Sequence, residues 1–551
     1  MVLENLVITV GKAKLADYIA NPKGSRQFQQ FIKLGTKEHR NSAIDALAKQ
    51  VPDLAMRNIY ALLTLEKIVT YGLKTDETLT VERILKPVMS DRKTVEKLLY
   101  HRLGCKFLNK LYLHPSIKPA LKKQMTDIVL IPRSIELLGE SREKLRQYYL
   151  ETAKRCIDKE LLGFDIIQKL FKQAVVDFAD DKDFNAELLA MAADGLPHLL
   201  SSRDGVTVVV RMLGIASAKQ KKAFIKELKG KFAEMAKNSV TCVVILRLLE
   251  CVDDTVLLGK SVLSELIGSD YTTGKNLLLD TTGRIPFLFA LEKLEMKTGR
   301  CYLQPDRQLL ASSPTPSAMK EQATRTEEIL TKLIPSVTKI VKSDMETFMQ
   351  SDAGKDVVVA LIKSLSESED QATLVSEVMA NMPLEITQPV VTCISAILKE
   401  VPESAETCWA VLVDRIQSGD MQSAALSDLC QGLGSFILMN LVRSCVSTVA
   451  SSVRGALQQV SLKDGNKGTE ILAKEVLEGA CMAWSETVKH FAEKKPVTKK
   501  RSATESESCA AKKKPRATSV TEEGEGKAAD LFGDDEEMWG LVGDDDEFLD
   551  E

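Results

Sequence analysis

From about residue 5 to 488 nearly every segment repeats apolar side chains at helical spacing, with Leu, Ala, Lys and Glu between them. The two-residue alternation of a half-buried strand is scarce, so the pattern predicts an all-α chain. Turn signals punctuate it at Asn21-Pro22-Lys23-Gly24, Gly35-Thr36, Val51-Pro52-Asp53, Tyr71-Gly72, His114-Pro115-Ser116, Asp204-Gly205 and Asp253-Asp254. In the first 72 residues these fall roughly 15 to 20 apart, or about two helices per 35 to 40 residues. A hairpin of that size cannot bury its apolar face alone, and stacked hairpins make an α-solenoid. Residues 311–327, opening with Ala311-Ser312-Ser313-Pro314-Thr315-Pro316, are expected to be a loop, because two prolines in three residues do not fit inside a helix. The last predicted helix carries Trp484 and fades near His490.

Beyond that point the composition changes. Lys494 to Ala517 is rich in Lys, Ser and Thr with almost no large apolar residues, so it cannot offset the entropy of ordering and is expected to be disordered. The acidic stretch that follows embeds Leu531-Phe532, Met538-Trp539 and Phe548-Leu549 among carboxylates, as in disordered peptides that dock apolar anchors on a basic partner. Aromatic residues are only 5% of the 551, which favours a repeat array over several large cores. The 11 Cys, among them Cys105, Cys156, Cys242, Cys251, Cys301, Cys393, Cys430 and Cys481, include no C-x-x-C pair. They read as buried reduced thiols and not as a disulfide framework or zinc site. Met1-Val2-Leu3-Glu4 lacks the start of a secretory signal, and no uncharged run reaches the roughly 18 residues of a membrane span, so neither secretion nor insertion is expected.

The net charge of −3 is a cancellation. Residues 1–160 hold 29 basic and 18 acidic side chains, 161–488 hold 34 and 42, 489–521 hold 10 and 3, and 522–551 hold 1 and 14. Such asymmetry points to nucleic-acid contacts and charged tails. Between Arg83 and Lys123 the cations Arg83, Lys86, Arg92, Lys93, Lys97, Arg102, Lys106, Lys110, Lys118, Lys122 and Lys123 face only Asp91 and Glu96. Lys93 with Lys97, and Arg102 with Lys106 and Lys110, recur at i, i+4 and so form stripes on helix faces. A patch of this kind neutralises phosphates and is indifferent to base identity. A second stretch, Lys219 to Lys237 with Lys221 and Lys222, is interleaved with Glu227 and Glu234 and fits a solvated face equally well.

A repeat landmark, a Gly or small residue just after the second helix, recurs at Gly35 and Gly72 and at Ala216 and Cys251. In Pumilio-type repeats the residues ten, nine and six before it meet a base, the outer two at its edge and the middle one by stacking. From Gly35 these are Ser25, Arg26 and Gln29, which resemble an adenine-reading triplet; a capping and solvent-facing set after Asn21-Pro22 is the alternative. From Gly72 they are Leu62, Leu63 and Glu66, and from Ala216 they are Val206, Thr207 and Val210, which read no base.

A Pumilio-like array with most of its code lost resembles the Puf-A/penguin family of nucleolar ribosome-assembly proteins. The resemblance spans about residues 5 to 480 and rests on Gln30-Phe31-Ile32-Lys33-Leu34-Gly35-Thr36, Arg203-Asp204-Gly205, Glu250-Cys251-Val252-Asp253-Asp254-Thr255, Gly283-Arg284-Ile285-Pro286-Phe287-Leu288-Phe289, Arg300-Cys301-Tyr302-Leu303-Gln304-Pro305, Gly434-Ser435-Phe436-Ile437-Leu438 and Lys467-Gly468-Thr469-Glu470. It implies a right-handed, L-shaped α-solenoid of about eleven repeats. The expected divisions are a basic N-terminal block 1–160, a middle block 161–310, a penguin-like helical region 311–488, a basic disordered segment 489–521 and a disordered acidic tail 522–551. The resemblance also implies a monomer that binds RNA, and DNA, with little sequence preference, acting with pre-ribosomal proteins on pre-rRNA in large-subunit maturation. Family members carry a basic extension ahead of the first repeat, whereas here the basic segment follows residue 488.

Lys499-Lys500-Arg501 and Lys512-Lys513-Lys514-Pro515-Arg516 resemble a bipartite signal for an importin-type receptor and imply a nuclear, nucleolar protein; a solubilising or nonspecific RNA-binding tail is the alternative. The acidic tail is expected to fold back on the basic repeats or the Lys/Arg segment and compete with RNA. His39, His101, His114, His198 and His490 lie far apart, and phosphate-loop and nucleophile-elbow motifs are absent, so the sequence suggests no enzyme, metal or cofactor. A HEAT-like protein scaffold or nuclear-transport adaptor without direct RNA binding remains the other reading of a charged solenoid.

Overall fold

The structure, a computed structural model, describes residues 14–123, 125–126, 142–296, 302–314, 320–365, 368–383, 385–417, 429–430, 433–443 and 451–453. Among them every regular element is helical. One series of helices stacks each on the next and forms an inner layer: α1 (Pro22–Leu34), α2 (Ile59–Thr75), α3 (Arg102–Leu113), α4 (Asp165–Asp177), α5 (Arg203–Ile215), α6 (Cys242–Cys251), α7 (Ile285–Leu291), α8 (Asp352–Ser364), α9 (Gln388–Glu400) and α10 (Gly434–Val442). Other helices, such as Val51–Arg57, Arg92–Leu99 and Arg142–Asp158, precede inner helices and form a second layer. The α-solenoid expected from hydrophobic period is the observed architecture.

The inner helices begin in a repeated way. Asn21 accepts from the backbone of Lys23 and Gly24, Asn58 from Ala61, His101 from Gly104, Ser202 from Gly205 and Ser351 from Ala353 and Gly354, satisfying amides that have no partner inside the helix. In four of these the third residue after the cap is glycine, and close approach explains it. A Cβ on Gly24 would lie 2.0 Å from the Tyr18 carbonyl oxygen and one on Gly205 1.8 Å from that of Leu199. At these positions the inner helix rests its first turn on backbone that ends the preceding helix.

The core runs continuously between the layers. Phe28, Leu62, Phe107, Phe171, Val209 and Ile245 come from successive inner helices and are at most 1% exposed, each worth about 1.5–3 kcal/mol of apolar burial. Cys105, Cys156, Cys242, Cys251, Cys393, Cys408 and Cys430 are free and buried, as expected for core thiols; burial pushes Cys156 up to about 12 and Cys251 up to about 11. Cys301 and Cys481 lie outside the described residues. No helix among the described residues is long and apolar enough to cross a membrane.

Two sequence expectations need correction. Gly72 does not end a helix: it is buried inside α2, which continues to Thr75, and a Cβ there would lie 2.6 Å from Thr80 Oγ1. The 311–327 loop is shorter than expected, since helices extend to Ser312 and resume at Gln322.

The chain entering that loop packs back onto earlier repeats. Helix Gln304–Ser312 lies along α5. At its start Asp306, 5% exposed, meets Arg203 at 2.6 Å; past its end the Pro314 carbonyl accepts from Arg247. Arg247 is 1% exposed, donating also to the Val210 carbonyl at 3.1 Å and to Glu250 at 2.6 Å. All of α6 from Cys242 to Leu249 is buried, so the 304–314 strap closes the inner face at this point. Arg247→Ala strands two carbonyl acceptors and leaves a cavity, and is expected to cost about 2–4 kcal/mol in chemical unfolding; a loss below roughly 0.5 kcal/mol would show that the strap is not held through this residue.

Candidate nucleic-acid interface

The first helical hydrogen bond gives the inner helices a common register. The carbonyls of Asn21, Asn58, His101, Phe164 and Ser202 accept from the amides of Ser25, Leu62, Cys105, Gln168 and Val206, four residues on. All five of these fourth residues are at most 1% exposed, because this position points into the contact between consecutive inner helices. Ser25 is one of them. Its hydroxyl contacts the Tyr60 carbonyl and Thr64 Oγ1, both at 2.9 Å, and accepts from Gln29 Nε2 at 2.9 Å. The expectation that Ser25 offers its hydroxyl to a base is therefore corrected, since it is buried in packing α1 on α2; Gln29, half-exposed, gives its amide nitrogen to Ser25 within α1, and Arg26 is exposed.

The eighth position is also used internally. Asn109 accepts from the Ile166 amide at 3.1 Å and donates to Asp165 at 3.4 Å, capping α4, whose own cap position, Phe164, has no capping side chain. Lys172 pairs with Asp204, which Lys169 also reaches at 3.5 Å. The fifth position faces outward and holds Arg26, Leu63, Lys106 and Lys169 in α1 to α4; the ninth holds Gln30, Lys67, Lys110 and Gln173. Cations thus hold five of these eight positions across four helices. Arg26, Lys67, Lys106 and Lys110 have no ion-pair partner among the described residues.

At the far ends of α2 and α3 the positive charge converges. Burial, and then Lys74, Lys122 and Lys110, hold the His114 pKa below its ordinary value. Aromatic rings lie among these cations: Arg40 and Lys74 sit over Tyr71 at 5.2 and 5.9 Å, and Lys122 over Tyr112 at 6.0 Å. The rows stop at α5, where Asp204 neutralises the α4 lysines and the 304–314 strap covers the face.

The remaining sequence candidates divide. Lys110 and Lys123 are exposed, Lys106 and Lys122 half-exposed. Lys118 is exposed and pairs with Glu77 at 3.6 Å, and Arg102 with Glu160 at 3.4 Å. Arg92 is half-buried against Glu96 at 2.9 Å, while Lys93 and Lys97 line a separate cleft in the outer layer. Lys221 is corrected as a phosphate ligand: it is 4% exposed and donates to the Cys251 carbonyl at 2.8 Å, where a cation complements a helix end. Lys222 is exposed on its own helix. Lys499, Lys500, Arg501, Lys512, Lys513, Lys514 and Arg516, like the acidic segment, lie outside the described residues. Lys33, Lys67, Lys74, Lys169 and Lys172 were not among the sequence candidates; counting five and nine residues from each cap finds two of them, Lys67 and Lys169.

Comparison with known proteins places the fold. Residues 279–406 match the CPL (NUC119) domain, starting inside the expected middle block. The chain is 21% identical to Pumilio homology domain family member 6 of Saccharomyces cerevisiae, covering 65% of this chain and 55% of that protein, so it spans about half the length of this curated relative. The crystal structure of human Puf-A superposes with a TM-score of 0.72 at 17% identity, over 86% of this chain and 94% of that one. Human Puf-A in complex with DNA gives 0.68 at 17% identity over the same shares.

Two titrations test this geometry. Burial raises Asp165 to about 6 despite hydrogen bonds from Asn109 and Ser201. The folded state therefore holds this proton more tightly than the unfolded one, and its contribution to stability declines as pH rises through 6. Asp165→Asn should be more stable than the parent by roughly 1–2 kcal/mol at pH 7.5, the gap shrinking toward pH 5 in urea unfolding; a gap independent of pH would contradict the burial argument. At His114, a bound phosphate would raise the depressed pKa and draw in a proton. RNA affinity should rise severalfold between pH 7.5 and 5.5, and His114→Gln should remove that part of the rise.

Proposed function

We propose that this chain, which is a Puf-A/penguin-like Pumilio-repeat protein, binds single-stranded RNA through phosphates along the inner face of α1 to α3, with little base selectivity. The observation that carries this reading is the register of the inner helices: the fourth position is core, the eighth is tied up within the protein, and the outward fifth and ninth hold Arg26, Lys67, Lys106 and Lys110. Base-edge readout needs the two inward positions, whereas phosphate binding needs only spaced cations on an exposed face. Tyr71 and Tyr112 add stacking surfaces that tolerate any base. The DNA complex of human Puf-A supports nucleic acid as the ligand class.

In the cell this reading makes the protein a non-enzymatic assembly and processing factor of the large ribosomal subunit, acting on pre-rRNA among pre-ribosomal proteins. It would reach the nucleolus through the clusters at 499–501 and 512–516 and an importin-type receptor. The yeast relative and the CPL match support the family context for that role. Mapping RNA cross-links in cells at nucleotide resolution tests it: enrichment on large-subunit precursor RNA is expected, and an even spread over messenger RNAs would sink it.

In vitro, reversing Lys67, Lys106 and Lys110 to Glu together should weaken binding of unrelated RNAs alike, by tenfold or more. The slope of log affinity against log salt should flatten by about 2, since each lost single-strand phosphate contact removes roughly 0.7. Unchanged affinity for mixed RNAs would remove the inner face as the site; a loss confined to one sequence would restore a base-reading role.

A further inference from the structure

Lys93 and Lys97 belong to a cleft that the RNA-binding reading does not use. It opens between the outer-layer helices Val51–Arg57, Arg92–Leu99 and Arg142–Asp158, with a volume of about 660 Å³. Met56 and Tyr100 contribute apolar surface, and Lys93, Lys97, Arg155 and Lys159 contribute positive charge. The one carboxylate in the lining, Glu96, is held by Arg92 at 2.9 Å. The Arg155 guanidinium lies over the Tyr100 ring at 4.7 Å, and Lys159 Nζ donates to the Tyr100 carbonyl at 2.7 Å. Cations are therefore arranged around an aromatic centre, and none of Arg26, Lys67, Lys106 or Lys110 lines the cleft.

The complementary chemistry is an apolar anchor flanked by carboxylates, and this sequence contains it. Met538-Trp539 follows Asp534-Asp535-Glu536-Glu537 and precedes Asp544-Asp545-Asp546-Glu547. We propose that the cleft docks this acidic segment of the same chain, with Trp539 against Tyr100 and Arg155 and the neighbouring carboxylates on Lys93, Lys97 and Lys159. An indole against a guanidinium–phenol stack gains both apolar contact and cation–π attraction. Charge complementarity carries this choice of occupant: eight carboxylates flank the Trp539 anchor, and the cleft offers four cations around an aromatic centre. Docked in the outer layer, the segment leaves the inner rows open to RNA, in contrast to the competition with RNA expected from charge alone.

The test is zero-length carbodiimide cross-linking of the full chain at low salt, read by mass spectrometry in the monomer band. Lys93, Lys97 or Lys159 should be joined to carboxylates between residues 534 and 547, and the yield should fall fivefold or more in Trp539→Ala and in Arg155→Glu. Trp539→Ala alters none of the described residues, so a loss there is not a folding effect. Links that go instead to Lys67 and Lys110, or that persist in Trp539→Ala, overturn the proposal. It also fails if Arg155→Glu weakens RNA binding as much as the inner-face triple variant does, which would assign the cleft to nucleic acid while leaving the inner-face reading intact.

Discussion

The architecture depends on a contact between backbones. At Gly24, Gly104, Gly205 and Gly354 the first turn of an inner helix comes so near the carbonyl at the end of the preceding helix that no Cβ fits between them. A side chain there would push the two layers apart by ångströms at every affected repeat. With the approach preserved and the helix start capped, the rotation of each inner helix about its axis is set. Which residues are core and which meet solvent then follows by counting from the cap.

That count links packing to function. The fourth residue falls between neighbouring inner helices, so Ser25 and Gln168 spend their polar atoms inside the protein: Gln168 donates to the Leu162 and His198 carbonyls at 2.9 and 3.1 Å. At the eighth, Asn109 caps the helix of the next repeat. A repeat that uses its base-contacting positions to hold its neighbours has little left with which to distinguish bases. It keeps the outward rows, where a long flexible cation can follow a phosphate backbone without fixed geometry.

Hydrophobic period was enough to read helices and solenoid, because stacked hairpins bury one face of every helix and the pattern shows it directly. Register was harder. The inner helices start at 22, 59, 102, 165, 203 and 242, and the uneven steps around residues 114–164 defeat a fixed repeat length. The landmark at Gly72 marked a close approach to Thr80 and not a helix end. The better signal, an Asn, His or Ser cap followed three residues later by Gly, is local and survives insertions. Charge runs found Lys106 and Lys110, since they lie in a dense stretch, but passed over Lys67 and Lys169, whose neighbours in space are distant in sequence. The same runs counted Lys221, because burial against the Cys251 carbonyl leaves no trace in composition.

The 304–314 strap has a bearing on how the molecule is made. A solenoid of nearest-neighbour contacts can fold repeat by repeat as it leaves the ribosome. Here Arg203 waits for a carboxylate 103 residues downstream, and Arg247 for a carbonyl 67 residues downstream. Until those arrive, a buried guanidinium lacks one acceptor and the apolar inner face of α6 stands open. The middle of the chain is thus the segment most in need of protection during synthesis and, once the strap is seated, the one whose opening most requires distant parts to separate together.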